Sequence, residues 1–173
     1  MLYLLDANTL IDAKNQYYPV KRVPEFWDWL VYQGQRFRIK IPIEIYEEFK
    51  DTETREGQKD DLAQWAGITE VKKALLFNEE SEPDLVSRVV YGGYFPNPGD
   101  DEIEKLGRDP FLISYALKDS NNRCIVTTEV SKPKRKGVNK KIPDVCDTLG
   151  VRCINNFQLI QELDFSTAWN ADT

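Results

Sequence analysis

The chain has 173 residues, 41% of them hydrophobic, enough for one ordinary globular domain with a sizeable core. It contains no histidine, which excludes Ser/His/Asp and Cys/His catalysis within the chain and removes the commonest transition-metal ligand. The net charge of −6 argues against a general nucleic-acid coat, yet charge is segregated: KPKRKGVNKK, over 132–141, carries six bases and no acid, and without it 17 bases face 29 acids.

No basic leader precedes the first strand-like run, and nothing approaches the roughly 18 apolar residues of a membrane span. The expectation is a soluble, cytoplasmic protein with no membrane partner. Cys124, Cys146 and Cys153 are odd in number and lack CxxC spacing, so they read as buried free thiols in a reducing compartment.

In chain order, LYLL (2–5), FRIKI (37–41), RCIVTT (123–128) and VRCI (151–154) read as short strands, and three of them are nearly continuous apolar runs, as strands buried on both faces require. Between them lie helical patterns in NTLIDAK, VPEFWDWLVYQG, PIEIYEEFK, DLAQWAG, PDLVSRVVYGGYF, DPFLISYALKD and IPDVCDTLG, with NFQLIQEL after the last strand. Strands separated by helices imply crossover connections and a mainly parallel sheet, an α/β fold. One domain is expected over 1–163, with 52–108 a polar, helical elaboration inside it. The tail 164–173 has no clear period, and Trp169 is its one docking candidate.

The acids raise the functional question. Asp6 ends the first strand, where open parallel sheets place their ligand sites, although an aspartate there also serves as a helix cap. In IPIEIYEEFKD, Ile45, Tyr46 and Phe49 form an apolar face, and Glu48 lies roughly 100° from its centre, within reach of a cleft beside the core. Glu44 and Glu47 read as solvated surface charges. Asp109 opens DPFLISYAL as an N-cap followed by proline at the first helical position, and its carboxylate retains oxygens for a metal. Glu129 follows a buried strand and Asp144 opens the next helix. Tyr91, Tyr94 and Phe95 read as core packing rather than as a stacking platform for bases.

In the order strand-Asp, helix-Glu, helix-start Asp, then strand followed by Thr-Thr-acid, the chain resembles the PIN domain, the metal-dependent ribonuclease family that includes VapC-type toxins. The motifs are LLDANTLID, IYEEF, DPFLISYAL and IVTTE, and VRCINNFQLIQEL is similar to the family's last strand and helix. The resemblance implies a three-layer α/β/α sandwich and a metal site of Asp6, Glu48 and Asp109. Asn8 and Thr127 or Thr128 would be polar supports. The family usually has aspartate where this chain has Glu129, so Asp144 competes for the fourth position.

Converging carboxylates without cations repel one another and suit Mg2+ or Mn2+, hard ions that take oxygen ligands. The implied activity is hydrolysis of RNA phosphodiesters, with Lys132, Lys134, Arg135, Lys136, Lys140 and Lys141 attracting the strand. A cognate antitoxin and a homodimer are the implied protein partners. Haloacid dehalogenase-type transfer wants a second aspartate two residues after the first, where Asn8 stands. A receiver-type switch lacks its lysine. A noncatalytic PIN-like RNA- or protein-binding module is the main alternative.

Overall fold

The computed structural model describes residues 1–170. Strands β1 (Leu2–Leu5), β2 (Ile39–Lys40), β3 (Arg123–Val126) and β4 (Arg152–Ile154) form one sheet in the order β2-β1-β3-β4. Every pairing is parallel, and helices complete a three-layer α/β/α sandwich. Strands β1 and β2 are buried throughout and β3 nearly so, Leu4, Leu5, Ile39 and Ile125 being fully enclosed, whereas β4 leaves Arg152 exposed and Cys153 half-buried. Strand β2 is shorter than the strand expected over 37–41. Phe37 takes a left-handed turn conformation (φ 58°), and Ile41 leaves the ladder to bridge Leu76.

The first crossover contains α1 (Ala7–Asp12), a π-helical turn (Ala13–Tyr17) and α2 (Pro24–Gln35). Between β2 and β3 lie α3 (Ile43–Phe49), α4 (Asp61–Ala66), α5 (Thr69–Leu75), α6 (Pro83–Val89), a second π-helical turn (Val90–Tyr94), α7 (Asp100–Lys105) and α8 (Asp109–Leu117). Helix α9 (Ile142–Leu149) joins β3 to β4, and α10 (Asn156–Glu162) follows the sheet. Helix α8 buries residues on every side, which explains its nearly unbroken apolar sequence. Helix α9 stops at Gly150, which takes the left-handed conformation (φ 68°) that ends a helix without a Cβ clash.

Helices α5 and α7 have no clear counterpart in the sequence pattern. Helix α7 buries none of its residues, so no apolar stripe announces it; its start is held instead by the Gly99 amide donating to Glu102 Oε2 at 3.0 Å. The tail docks through two aromatics. Phe165 packs on Tyr18, Phe26 and Trp29, while Trp169 Nε1 donates to the Glu25 carbonyl at 2.9 Å and its ring meets Tyr32. The last part of the tail expected over 164–173, residues 171–173, lies outside the described residues.

All three cysteines are free; Cys124 and Cys146 are buried, but Cys153 is only half-buried. Among the described residues, no helix is long and apolar enough to cross a membrane.

Strand order positions the site. From β1 the chain crosses to β2 on one side, and it returns to place β3 on the other side of β1. The β1/β3 boundary is therefore a topological switch point, and the crevice outside the carboxyl ends of these two strands is where such sheets take ligands.

Candidate functional site

The β1/β3 register pairs Leu5 with Val126, so the next residues, Asp6 and Thr127, leave the sheet side by side. The Asp6 amide still donates to the Val126 carbonyl (2.9 Å), and the buried Thr127 hydroxyl donates to Asp6 Oδ2 at 2.8 Å. The same hydroxyl accepts the Glu129 amide at 3.1 Å, linking the first acid to the fourth. Thr9, a residue the motifs do not single out, fixes α1 to this end of β3 by donating its hydroxyl to the Val126 carbonyl at 2.9 Å. Asp6 occupies the N-cap position of α1, where its carbonyl accepts the Thr9 amide at 3.1 Å, without a capping hydrogen bond from its side chain. Burial pushes its carboxyl above the usual range and the Glu129 charge adds to this. The Thr127 hydroxyl and the amides of Asn8 and Ala7 oppose the shift. Asn8 thus supports the charge by its backbone, its side chain being exposed.

Asp109 and Glu48 arrive from other elements. Arg108, not Asp109, is the N-cap of α8, so Asp109 is already the first helical residue rather than the cap. Burial and the charges of Asp6, Glu129 and Glu48 push Asp109 up to about 7. Tyr94, at the end of the second π-helical turn, directs its hydroxyl at Asp109 Oδ2 across a long 3.5 Å contact. Helix α3 buries Ile45 and Phe49 and carries Glu48 on its flank. Glu48 is exposed, yet desolvation and then the Asp6 charge push it up to about 6, with the Arg108 charge opposing them. None of Asp6, Glu48 and Asp109 forms an ion pair among the described residues.

Glu129 differs. It pairs with Lys141 and accepts the Ile142 amide at 2.8 Å. Asp144 is not drawn into the cluster. It accepts the Ser131 hydroxyl at 2.5 Å and the Lys132 amide at 2.8 Å, and although desolvation opposes them, these bonds hold it below its usual range. It anchors the basic loop to α9.

Of the six bases, two are structural. Lys141 holds Glu129, and Lys140 donates to the Gly93 carbonyl at 2.5 Å. Lys132, Lys134, Arg135 and Lys136 are exposed. The neighbours of Glu48 also depart from the sequence reading. Glu47 is exposed and pairs with Lys50 and Arg108 (3.6 Å each), but Glu44 is no solvated charge. Its Oε1 accepts from Tyr115 at 3.3 Å and its Oε2 is buried without a partner among the described residues.

Beside the cluster lies a cleft of about 590 Å³, bounded by Thr127, Thr128 and Glu129 after β3, by Tyr17 at the end of the first π-helical turn, and by Asn156 and Phe157 of α10. Asp6, Glu48 and Asp109 do not line it, so Glu129 is the acid shared between the cleft and the cluster.

The oxygen donor set is of the kind that Mg2+ or Mn2+ takes: the Asp6 charge raises the proton affinity of both Glu48 and Asp109, and such hard ions bind few protein oxygens and keep several waters. Among the described residues no three acidic or thiol side chains already converge as a metal cage. The acids are coupled through their charges rather than closed around a preformed centre.

These features define an α/β protein with charge-coupled acids near its switch point. Residues 3–167 match the family described as Domain of unknown function (DUF4411), and the chain belongs to that family. No curated protein and no solved structure matches it.

Proposed function

We propose that the protein is a metal-dependent endoribonuclease of PIN-like chemistry. The observation that carries this reading is the charge coupling of Asp6, Glu48 and Asp109, from three separate elements near the switch point, with raised proton affinities and no ion pair among the described residues; Arg108 and Lys141 offset the shifts of Glu48 and Asp109 only in part. A structural acid is normally paired; unpaired neighbours at a ligand crevice are poised for a cation.

Asp6, Glu48 and Asp109 would hold Mg2+ or Mn2+, with Glu129 joining as Lys141 yields it. A divalent ion there supplies neutralisation of the phosphate and activation of water. The chain's own contributions are separable. Thr127 orients Asp6. Asp109 and Glu48, at about 7 and about 6, hold protons near neutrality that leave as the cation enters. Lys132, Lys134, Arg135 and Lys136 attract the strand. In the reaction, a water oxygen attacks phosphorus, the phosphodiester P–O bond breaks, and the departing oxygen receives a proton.

Manganese calorimetry on wild type, Asp6→Asn and Asp109→Asn tests the site. The expected result is binding with proton release in the wild type and loss in both variants; retention in both returns the acids to a structural role. A toxin role in a toxin–antitoxin pair belongs to the same proposal. It predicts growth arrest on expression of the wild type but not of Asp6→Asn.

One observation favours a second reading, a noncatalytic RNA- or protein-binding module: Lys141 already neutralises Glu129. Such a module would bind RNA equally with and without manganese and would leave it uncut.

A further inference from the structure

The cleft beside the acids has walls that the acid chemistry does not use. Its volume, about 590 Å³, falls within the roughly 300–1,000 Å³ of sites that enclose small ligands. Tyr17 and Phe157, from two different elements, are 43% and 48% exposed and meet edge to face with ring centroids 5.2 Å apart. Core packing does not account for two large aromatics left open on one rim. Asn156 contributes to the lining and is only 2% exposed, yet neither its amide nitrogen nor its amide oxygen has a partner among the described residues. A buried amide without partners is costly, and it offers one donor group and one acceptor. The lining also includes Val130 and Ser131, which run directly into the exposed bases Lys132, Lys134, Arg135 and Lys136.

We propose that this cleft seats one unpaired nucleotide of a single-stranded RNA, its base stacked on the Tyr17–Phe157 pair and its polar edge read by Asn156. Flanking phosphates lie toward the basic loop, and the adjacent phosphodiester lies past Glu129 at the acid cluster. The apolar rim alone would suit a peptide; four exposed bases beside it favour a polyanion. Stacking on aromatics accepts any base, whereas an amide discriminates between base edges, so the two elements have different signatures. The inference rests on the nuclease reading for the neighbouring phosphodiester but concerns binding, and the two are separable.

The test uses 5′-fluorescein-labelled tetramers of U, C, A and G with the full-length protein in EDTA, read by anisotropy, alongside manganese-dependent cleavage of a longer RNA. Tyr17→Ala and Phe157→Ala are each expected to weaken tetramer binding about tenfold, with Tyr17→Phe retaining it. An abasic nucleotide at an interior position should weaken wild-type binding to the level of the alanine variants. Asn156→Ser should narrow the preference among the four tetramers. Thermal unfolding confirms that each variant is folded, and the exposure of both rings makes their replacement tolerable. Affinities unchanged in both alanine variants, or insensitivity to the abasic position, overturn the subsite. So does failure of the wild type to bind any tetramer, which would give the cleft to a protein partner. Aromatic-dependent binding with no cleavage leaves the subsite standing and overturns the nuclease. Cleavage with kcat and KM unchanged in both aromatic variants does the reverse.

Discussion

The two ends of the same sheet treat charge in opposite ways. At the amino end of β3, Arg123 grips Glu79 through two 2.8 Å bonds and donates to the Tyr115 carbonyl at 2.9 Å. At the amino end of β4, Arg152 pairs with Glu162, which also accepts the Tyr3 hydroxyl at 2.6 Å. Both glutamates are held below their usual range by these arginines. At the carboxyl end, by contrast, burial and the Glu129 charge push Asp6 up, and desolvation and neighbouring acids, Asp6 among them, push up Glu48 and Asp109. The paired end tightens the fold, whereas the unpaired end stores repulsion that a bound cation would relieve.

The sharpest way to break this contrast is to exchange the roles. Asp6→Asn or Asp109→Asn should lower manganese-dependent RNA cleavage by on the order of 10³-fold, about 4 kcal/mol of transition-state stabilisation. Glu79→Gln should leave the cleavage rate of folded protein near wild type. Single-turnover assays decide; equal losses at both ends would erase the distinction.

Stability should move oppositely. In urea unfolding of metal-free protein at pH 8, Glu79→Gln should cost about 2–3 kcal/mol by leaving the largely buried Arg123 unpaired, whereas Asp109→Asn should stabilise by about 1–3 kcal/mol. The sign follows from linkage. A carboxyl whose folded pKa is raised favours the folded state fully below its unfolded pKa, near 4, and that contribution is lost as pH rises to the folded value. Metal-free stability should therefore gain from these acids below about pH 4 and lose that gain between about pH 4 and 7, up to the value of about 7 reached by Asp109. The lowered Glu79 and Glu162 act in reverse: their contribution is present above the unfolded pKa and disappears as pH falls through the folded one. Manganese should remove the loss between pH 4 and 7 in the wild type, and Asp109→Asn should flatten it.

A smaller effect sharpens the role of the register pair. Thr127→Val removes the hydroxyl that favours the charged form of Asp6. The Asp6 pKa should rise further, moving the acid limb of the cleavage profile to higher pH, with about a tenfold loss of rate at pH 6. A uniform loss at every pH would mean packing damage instead. The smallest effect concerns the outer loop. Replacing Lys134, Arg135 and Lys136 together with alanine should weaken RNA binding severalfold at low salt and reduce the log–log salt slope by up to about 2. An unchanged slope would detach the loop from RNA.

Much of the fold was legible. Three strands are apolar runs because both of their faces are buried, and the helices with one apolar stripe or an apolar body show their period. Helix α7 was not, because local capping rather than burial holds it. In the candidate site, Asp6 and Asp109 were legible as acids at element boundaries, but Asp109 was misread as the cap that Arg108 occupies. Glu44 was misread as solvated because its burial comes from Tyr115, 71 positions away. No local signal could pair Lys141 with Glu129 or bring Tyr94 to Asp109, since side chains that meet after long crossovers leave no period.

The sequence by itself determined that any chemistry, without histidine, would have to use carboxylates, hydroxyls, amines or bound metal, that the strands would be mainly parallel, and that acids would stand at their ends. These are consequences of composition and of period, which act over a few residues. Only the tertiary structure decided which acids meet. The β1/β3 register set Thr127 rather than Thr128 against Asp6, the Ser131 and Lys132 bonds withdrew Asp144, and Lys140 and Lys141 turned from the strand's expected path to interior partners. Electrostatic coupling depends on distance and burial in space, and neither exists until the crossovers have closed.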